Sequence, residues 1–422
     1  MPETSPNPFI ERDELLKQIR VEFAARDPNY NDLRKKYGDA LNVPAGEIAD
    51  RQRNGKPAAS AYQILLEAQW LVSYGSEWPR VESLIAKLKK VLADPAHDTI
   101  NPTQADDGSW GGCIEEPYRK LEPTVDALQE LPDGDHANRL SFMTDLKLDD
   151  AKAVLDRLWR LQVSDIRGTG RNNRDELGAT QTALSQLIFK DNLRSVLVDR
   201  FDELGFEISP MLEADYGDYL RQTQHPRTGY WGPWYRMGGQ LLQVQALSFT
   251  YHSINYRGGN VHNWPTIIDT TLRIELFKYP MGWTPKAGGK YSHHNNYDVV
   301  SIFMYGWTHM DGGQKARVRD KIVEMLKWCL DEQVTKQGGL LPEPETAIAD
   351  TYYYAVRFLD RLGYWDELRR FWSRKAPPLP PGIVSPGALA QKLSVAFEKL
   401  GDRSDESATV RSTLKTAMCL SA

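Results

Sequence analysis

Two histidines, two asparagines and a tyrosine stand directly before an apolar run in KYSHHNNYDVVSIF, Lys290 to Phe303. Imidazole and phenol both take and give protons, and an amide can bind a carboxylate oxygen without adding charge. His293 and Tyr297 are four residues apart, and His294 and Tyr297 three apart. Either pair therefore shares one face if the stretch is helical, with Asn295 and Asn296 between. This mixture suits β-elimination across a uronic acid, in which the proton beside a carboxylate is removed and the glycosidic oxygen is then expelled. That proton is hardly acidic until the carboxylate charge is neutralised by an amide, an arginine or a shared proton. A histidine or tyrosine takes the proton, and a tyrosine can return one to the leaving oxygen. The candidate base is His294 or Tyr297, and the asparagines bring no negative charge that would raise the phenol's pKa.

Other chemistries find less in the chain. There is no GxxxxGK[ST] loop and no strand-borne GxGxxG for phosphates. His293 and His294 are adjacent and diverge on a helix, and no HExxH accompanies them, so neither metal nor another cofactor is expected. No GxSxG elbow marks a serine hydrolase. Paired acids for glycoside hydrolysis remain an alternative through Glu115, Glu116, Glu343 and Glu345. Each residue also has a plainer reading. A histidine at a helix start can satisfy a loop carbonyl, and Asn295 or Asn296 can cap the helix. His252 reads as an end-of-helix residue that could reach the opposite end of a barrel. His262 and Asn263 read as caps of the helix that follows.

The elements that must position these groups come from a repeat. Gly-containing turns recur at Gly108 (QADDGSWGG), Gly168 (QVSDIRGTG), Gly229 (QHPRTGYWG), Gly282 (KYPMGWTP) and Gly338 (TKQGGLLPE), at spacings of 60, 61, 53 and 56 residues. That is the length of two helices and two connections. An amphipathic helix precedes each turn, as in DDAKAVLDRLWRLQV and ARVRDKIVEMLKWCLDEQV. A more apolar one follows: GATQTALSQLIF, GGQLLQVQALSFTYH, YDVVSIFMYGW and DTYYYAVRFL. Apolar positions recur at helical spacing, and strand alternation is nowhere sustained. The expected fold is all-α, an α/α toroid of about five to seven helical hairpins with an inner and an outer layer. An open solenoid competes, though it would not need so apolar an inner layer. Residues 1–372 are read as the toroid and catalytic domain, 373–387 as a Pro-rich connector, and 388–422 as a helical appendage.

In a toroid the turns opening each inner helix converge on one cleft. The first supplies Trp110, Glu115 and Glu116, and the second Arg171, Asn172, Asn173 and Arg174. The third supplies Trp231, Trp234, Tyr235 and Arg236. The fourth supplies Tyr291 with His293 to Tyr297, and the fifth Glu343, Glu345 and Tyr352 to Tyr354. Within this lining His294, Tyr297, Asn296, Arg236 and Tyr353 are the catalytic candidates. The substrate-binding candidates are Trp110, Asn173, Arg174, Trp231, Trp234, Tyr235, Tyr291, His293 and Asn295. With 12 Trp and 19 Tyr against 12 Phe, aromatics crowd these loops, either packing beneath them or offering platforms for sugar rings.

A toroid whose inner helix opens with Asn, His and Tyr resembles the alginate and glucuronan lyases of toroid type. Those lyases follow an Asn-His-x-Tyr-like stretch, about one hairpin on, with an Arg and a Tyr. Here HHNNYD matches the first part, and Tyr352 to Tyr354 follow His294 by about 58 residues. The order His-His-Asn-Asn departs from the pattern, and no Arg stands just before the tyrosines. The resemblance thus leaves the arginine's part to Arg236 or Arg174. It spans residues 60–370 and implies a polyuronate polysaccharide or oligosaccharide as partner. QTQHPRTGYW and DGSWGG are also similar to turns of terpenoid cyclase and prenyltransferase toroids. Those cyclases use a DxDD acid motif, however, and IIDTT keeps only Asp269 while TDLKLDD lacks the first Asp. A cleft lined by Arg, Asn and His also suits an apolar polyene poorly.

Composition narrows the classes further. A net charge of −5 with 26% charged and 41% hydrophobic residues describes an ordinary globular chain without a basic footprint for nucleic acid. Cys113, Cys329 and Cys419 form no CxxC pair, which argues against zinc knuckles and disulfide frameworks. No apolar run reaches the roughly 18 residues of a membrane span. The polar start MPETSPNPFIERDELLKQI shows no secretory signal. Residence inside the cell, or export followed by removal of a leader, fits equally.

Overall fold

The computed structural model describes residues 9–53, 59–93, 104–110, 114, 116–130, 139–190, 194, 196–197, 205, 207–286, 288–343, 346, 348–373, 377, 379, 385–400 and 405–420. These fall into two compact units. One comprises Asp13–Thr223 with Pro233–Val244, the other Phe9–Arg12, Gln224–Gly232 and Gln245–Ala422. Both are built of helices, as the apolar periodicity implies.

The first unit runs through α1 (Arg12–Arg26), α2 (Tyr30–Arg53), α3 (Ala59–Tyr74), α4 (Trp78–Ala93), α5 (Pro117–Glu130), α6 (Ala151–Gln162), the single turn α7 (Ile166–Thr169), α8 (Arg174–Phe189) and α9 (Leu212–Thr223). On α4 the buried residues Val81, Leu84, Ile85, Leu88 and Leu92 make one stripe, which is the amphipathic pattern of a helix with one face on a core. α2, α3 and α4 pack on one another, α8 packs on α5 and α6, and α9 packs on α6. α6 begins where the Asp150 carboxylate accepts the Ala153 N–H, satisfying one of the orphan donors of the first turn.

This unit also departs from a purely helical reading. Three short strands, β1 (Val163–Ser164), β2 (Trp234–Met237) and β3 (Gln240–Gln243), form one sheet. β2 lies parallel to β1 and antiparallel to β3. The expected single helix GGQLLQVQALSFTYH therefore begins as a strand, and helix starts only at Leu247. The reason is local. Gly238 and Gly239 both have positive φ, 53° and 82°, a two-residue hairpin turn that residues with side chains rarely adopt.

The second unit contains α10 (Leu247–Tyr256), α11 (Trp264–Arg273), α12 (His293–Gly306), α13 (Gly312–Lys327), α14 (Ile348–Arg361), α15 (Pro386–Glu398) and α16 (Asp405–Leu420). α12 is enclosed nearly all round, with Val299, Val300, Ile302 and Phe303 at 0% exposure. It packs against α10, α11, α13 and α14. A reciprocal Asp311–Gln314 capping box starts α13. At the far end of α12 a side chain on Gly306 would bring its Cβ to 2.8 Å from the Trp264 ring, so glycine is what lets α11 approach this closely. α16 packs on α14 and α15, so the helices beyond the Pro-rich stretch are built into this unit.

Candidate functional site

The polar stretch at the head of α12 is organised by Ser292. Its backbone is extended (φ −140°, ψ 158°), and its hydroxyl accepts the Asn295 N–H at 3.2 Å. Serine thus holds the N-cap position in place of Asn295 or Asn296. Asn295 donates its amide to the Trp283 carbonyl at 2.7 Å and anchors the preceding loop. Asn296 is 2% exposed, and its Nδ2 has no acceptor.

The two histidines diverge. His293 is wholly buried against Trp328, with ring centroids 4.9 Å apart. Neither ring nitrogen has a partner, and burial pushes its pKa down to about 3. Its backbone N–H donates to Glu343 Oε1 at 2.9 Å. Burial pushes the Glu343 carboxyl up to about 7, against the opposing pull of that N–H. His293 and Glu343 are therefore parts of the helix start and the core.

His294 turns the other way. Its ring lies 4.4 Å from Tyr354 and 5.2 Å from Tyr279. Burial, then the positive potential of His252 and Lys286, lowers its pKa to about 3. A third of its side chain (35%) remains open, unlike that of the enclosed His293. One turn on, the Asp298 carboxylate stands 3.8 Å from His294 Nε2. Burial raises the Asp298 pKa well above the carboxylate range, opposed by the Tyr279 hydroxyl at 3.5 Å. Both shifts favour the uncharged forms of the two groups.

Tyr297 completes the group. Its ring is 6.0 Å from Tyr354 and 5.7 Å from Tyr251. Burial raises the phenol's pKa, but the charges of Arg361 and Arg357 and hydrogen bonds from Tyr251 and Arg361 outweigh it, so the net shift is downward. Arg357 Nη2 lies 3.5 Å from the phenol oxygen. The two guanidinium carbons sit 5.8 and 5.7 Å from the ring centroid, and Arg361 is held by Asn255 Oδ1 at 3.0 Å. His294 and Tyr297 therefore lie in one cluster of titratable side chains contributed by α10, α12 and α14.

Sequence reasoning missed much of this group: Asp298, Tyr251, Tyr279, Asn255, Arg357 and Arg361. Two spacings held a signal. Asp298 follows His294 by four residues, and Arg357 and Arg361 follow Tyr353 at successive steps of four, which puts them on one helix face. Within the tyrosine run it is Tyr354 that meets His294, while Tyr353 packs on Tyr354 at 5.1 Å and lies near Arg357. His252 also belongs here. It stacks on Tyr256 at 5.5 Å, and burial lowers its pKa to about 4.

The remaining candidates are engaged elsewhere. Tyr291 donates to Glu324 at 2.9 Å, beside the Lys290–Glu324 pair at 2.7 Å. Trp231, in the second unit, is 2% exposed, and its N–H donates to Thr250 Oγ1. In the first unit Trp110 is 3% exposed and similarly bound to Thr124. Asn173 donates to the Arg160 and Val163 carbonyls, and Tyr235 to Asn172 at 3.3 Å. Trp234 meets the edge of Trp159 at 6.4 Å. Arg174 pairs with Asp175, and the half-exposed Arg236 lies 3.7 Å from Asp165. Among the glutamates, Glu116 pairs with Arg157, which also holds Glu176, while Glu115 and Glu345 lie outside the described residues. Asn263 stands at the start of α11 without a side-chain cap bond, its amide turned to Gln224 at 3.4 Å.

Among the described residues no three His, Cys, Asp or Glu side chains gather as metal ligands would. No helix there is long and apolar enough to cross a membrane. No family model, curated protein or solved structure matches the chain, so a functional reading rests on the geometry of the site itself.

Proposed function

We propose that the chain is a polysaccharide lyase that cleaves a uronic-acid-containing polymer, of glucuronan or alginate type, by β-elimination. In this reading the helical hairpins close into an α/α toroid, and His294 and Tyr297 are the proton-transfer pair of its cleft. In this reading neutral His294 accepts a proton, and the Tyr297 phenol, its pKa lowered by the two arginines, gives one up more readily than an ordinary buried tyrosine. Asn296, whose amide nitrogen has no acceptor, would bind the substrate carboxylate in this reading. The observation that carries the reading is the Tyr297 phenol oxygen 3.5 Å from the Arg357 guanidinium, with the Arg361 guanidinium 5.7 Å from the ring centroid, where both positive charges favour loss of the phenol proton.

The test is incubation with glucuronan, alginate and other polyuronates, followed by the ultraviolet band of a conjugated unsaturated product. Appearance of that band on at least one polymer is expected. Tyr297→Phe and His294→Ala should each cut turnover by roughly 100-fold or more with little change in melting temperature. Hydrolysis without unsaturation would sink the elimination reading.

The 4% exposure of Tyr297 favours a second reading, in which the group is a polar core tying α10, α12 and α14 together. It expects no product from any polyuronate and a lowered melting temperature for Tyr297→Phe.

A further inference from the structure

Arg357 and Arg361 carry two positive charges into one half-buried patch of the second unit. Among the described residues neither pairs with a carboxylate. Arg357 reaches the Tyr297 oxygen, and Arg361 reaches Asn255 and the Met304 sulfur. The Nε of each is buried without a partner. The acid of the group, Asp298, is fully buried, which pushes its carboxyl well above the usual carboxylate range. Taking two cations partly out of water is costly unless anions accompany them. Phenolate formation at Tyr297 supplies at most one negative charge. The patch is not sealed, because His252, His294, Tyr353, Tyr354, Arg357 and Arg361 are all half-buried.

We propose that Arg357 and Arg361, with Asn255 holding the second, form an oxyanion site that takes a single carboxylate of a ligand beside Tyr297. Desolvation decides the class. A singly charged carboxylate loses less hydration on entering a part-buried patch than a phosphate dianion does. Guanidinium groups also present paired N–H donors that match the two oxygens of a carboxylate. That the carboxylate belongs to a sugar acid rests on the elimination reading, whereas the site itself rests on the uncompensated cations.

Calorimetric titration of the whole protein with three probes tests this: glucuronate, glucose 6-phosphate and methyl glucoside. Glucuronate should bind, more weakly as salt rises, glucose 6-phosphate less well, and methyl glucoside not at all. Arg361→Gln should weaken glucuronate binding about 10-fold or more, the loss expected for a charge-assisted hydrogen bond, and Arg361→Lys should restore part of it. The proposal falls if methyl glucoside binds as tightly as glucuronate, or if Arg357→Gln and Arg361→Gln both keep full affinity. Tighter binding of the phosphate would overturn the carboxylate assignment. The wild-type comparison needs no variant to fold. Glucuronate binding without any unsaturated product would sink the lyase reading and leave this site standing.

Discussion

A buried phenol ordinarily resists ionisation, and burial raises Tyr30 to about 12 and Tyr230 higher still. Tyr297 is buried too, yet its pKa moves the other way because Arg361 and Arg357 stand over it. The sign is set by charge, with burial as the losing effect. This predicts a measurable separation. In an ultraviolet titration of the folded protein, one tyrosine should ionise ahead of the others, and Tyr297→Phe should remove that step. Arg361→Gln should move the step toward higher pH. A step unmoved by Arg361→Gln would mean that the guanidinium does not set the phenol's field. The adjacent His293 shows how little residue type says alone: the same imidazole, one position earlier, is a core group facing Trp328.

At the scale of the element, the start of α12 joins a cap to a titrating group. Glu343 accepts the His293 N–H, a favourable place for a negative charge at a helix N-terminus. Burial nonetheless outweighs this and lifts its pKa from 4.5 to about 7. A pKa raised by folding contributes stability that is fully present below the unfolded value, here 4.5, and is lost as pH rises through the folded value of about 7. Glu343→Gln keeps an acceptor for the N–H and removes the titration. Between about pH 5 and pH 8 the wild type should therefore lose on the order of 2 kcal/mol relative to the variant, measured by denaturant unfolding. A constant difference across that range would show that the carboxyl titrates normally. His293, with its lowered pKa, has the opposite slope and loses stability as pH falls below about 6.5. The comparison with the variant cancels that contribution.

For the whole molecule, closure of the hairpins is the part of the proposal with a shape. Within the second unit the enclosed α12 packs against α10, α11, α13 and α14. A compact globule of 422 residues has a radius of gyration of about 22 Å. Small-angle scattering in dilute solution should return a value close to this if one ring accounts for the chain. A clearly larger value would favour an open solenoid of hairpins and remove the shared cleft.

Helical class was legible because periodicity of apolar residues is a property of neighbours along the chain. So was the start of α12, where Ser292 and the apolar run from Val299 follow local rules of capping and burial. The Gly238–Gly239 hairpin was equally local, and its two adjacent glycines could have been weighed as a turn before the apolar run was read as helix. The composition of the site was not legible in this way. Which histidine faces Tyr354 depends on how α12 is rotated against α14. The downward shift at Tyr297 sums charges from residues 60 and 64 positions away, opposed by burial that several helices create together. Sequence alone thus determined which side chains could move a proton. Tertiary packing decided which of them meet, because distance and burial, and through them the field at a group, exist only once distant helices are in contact.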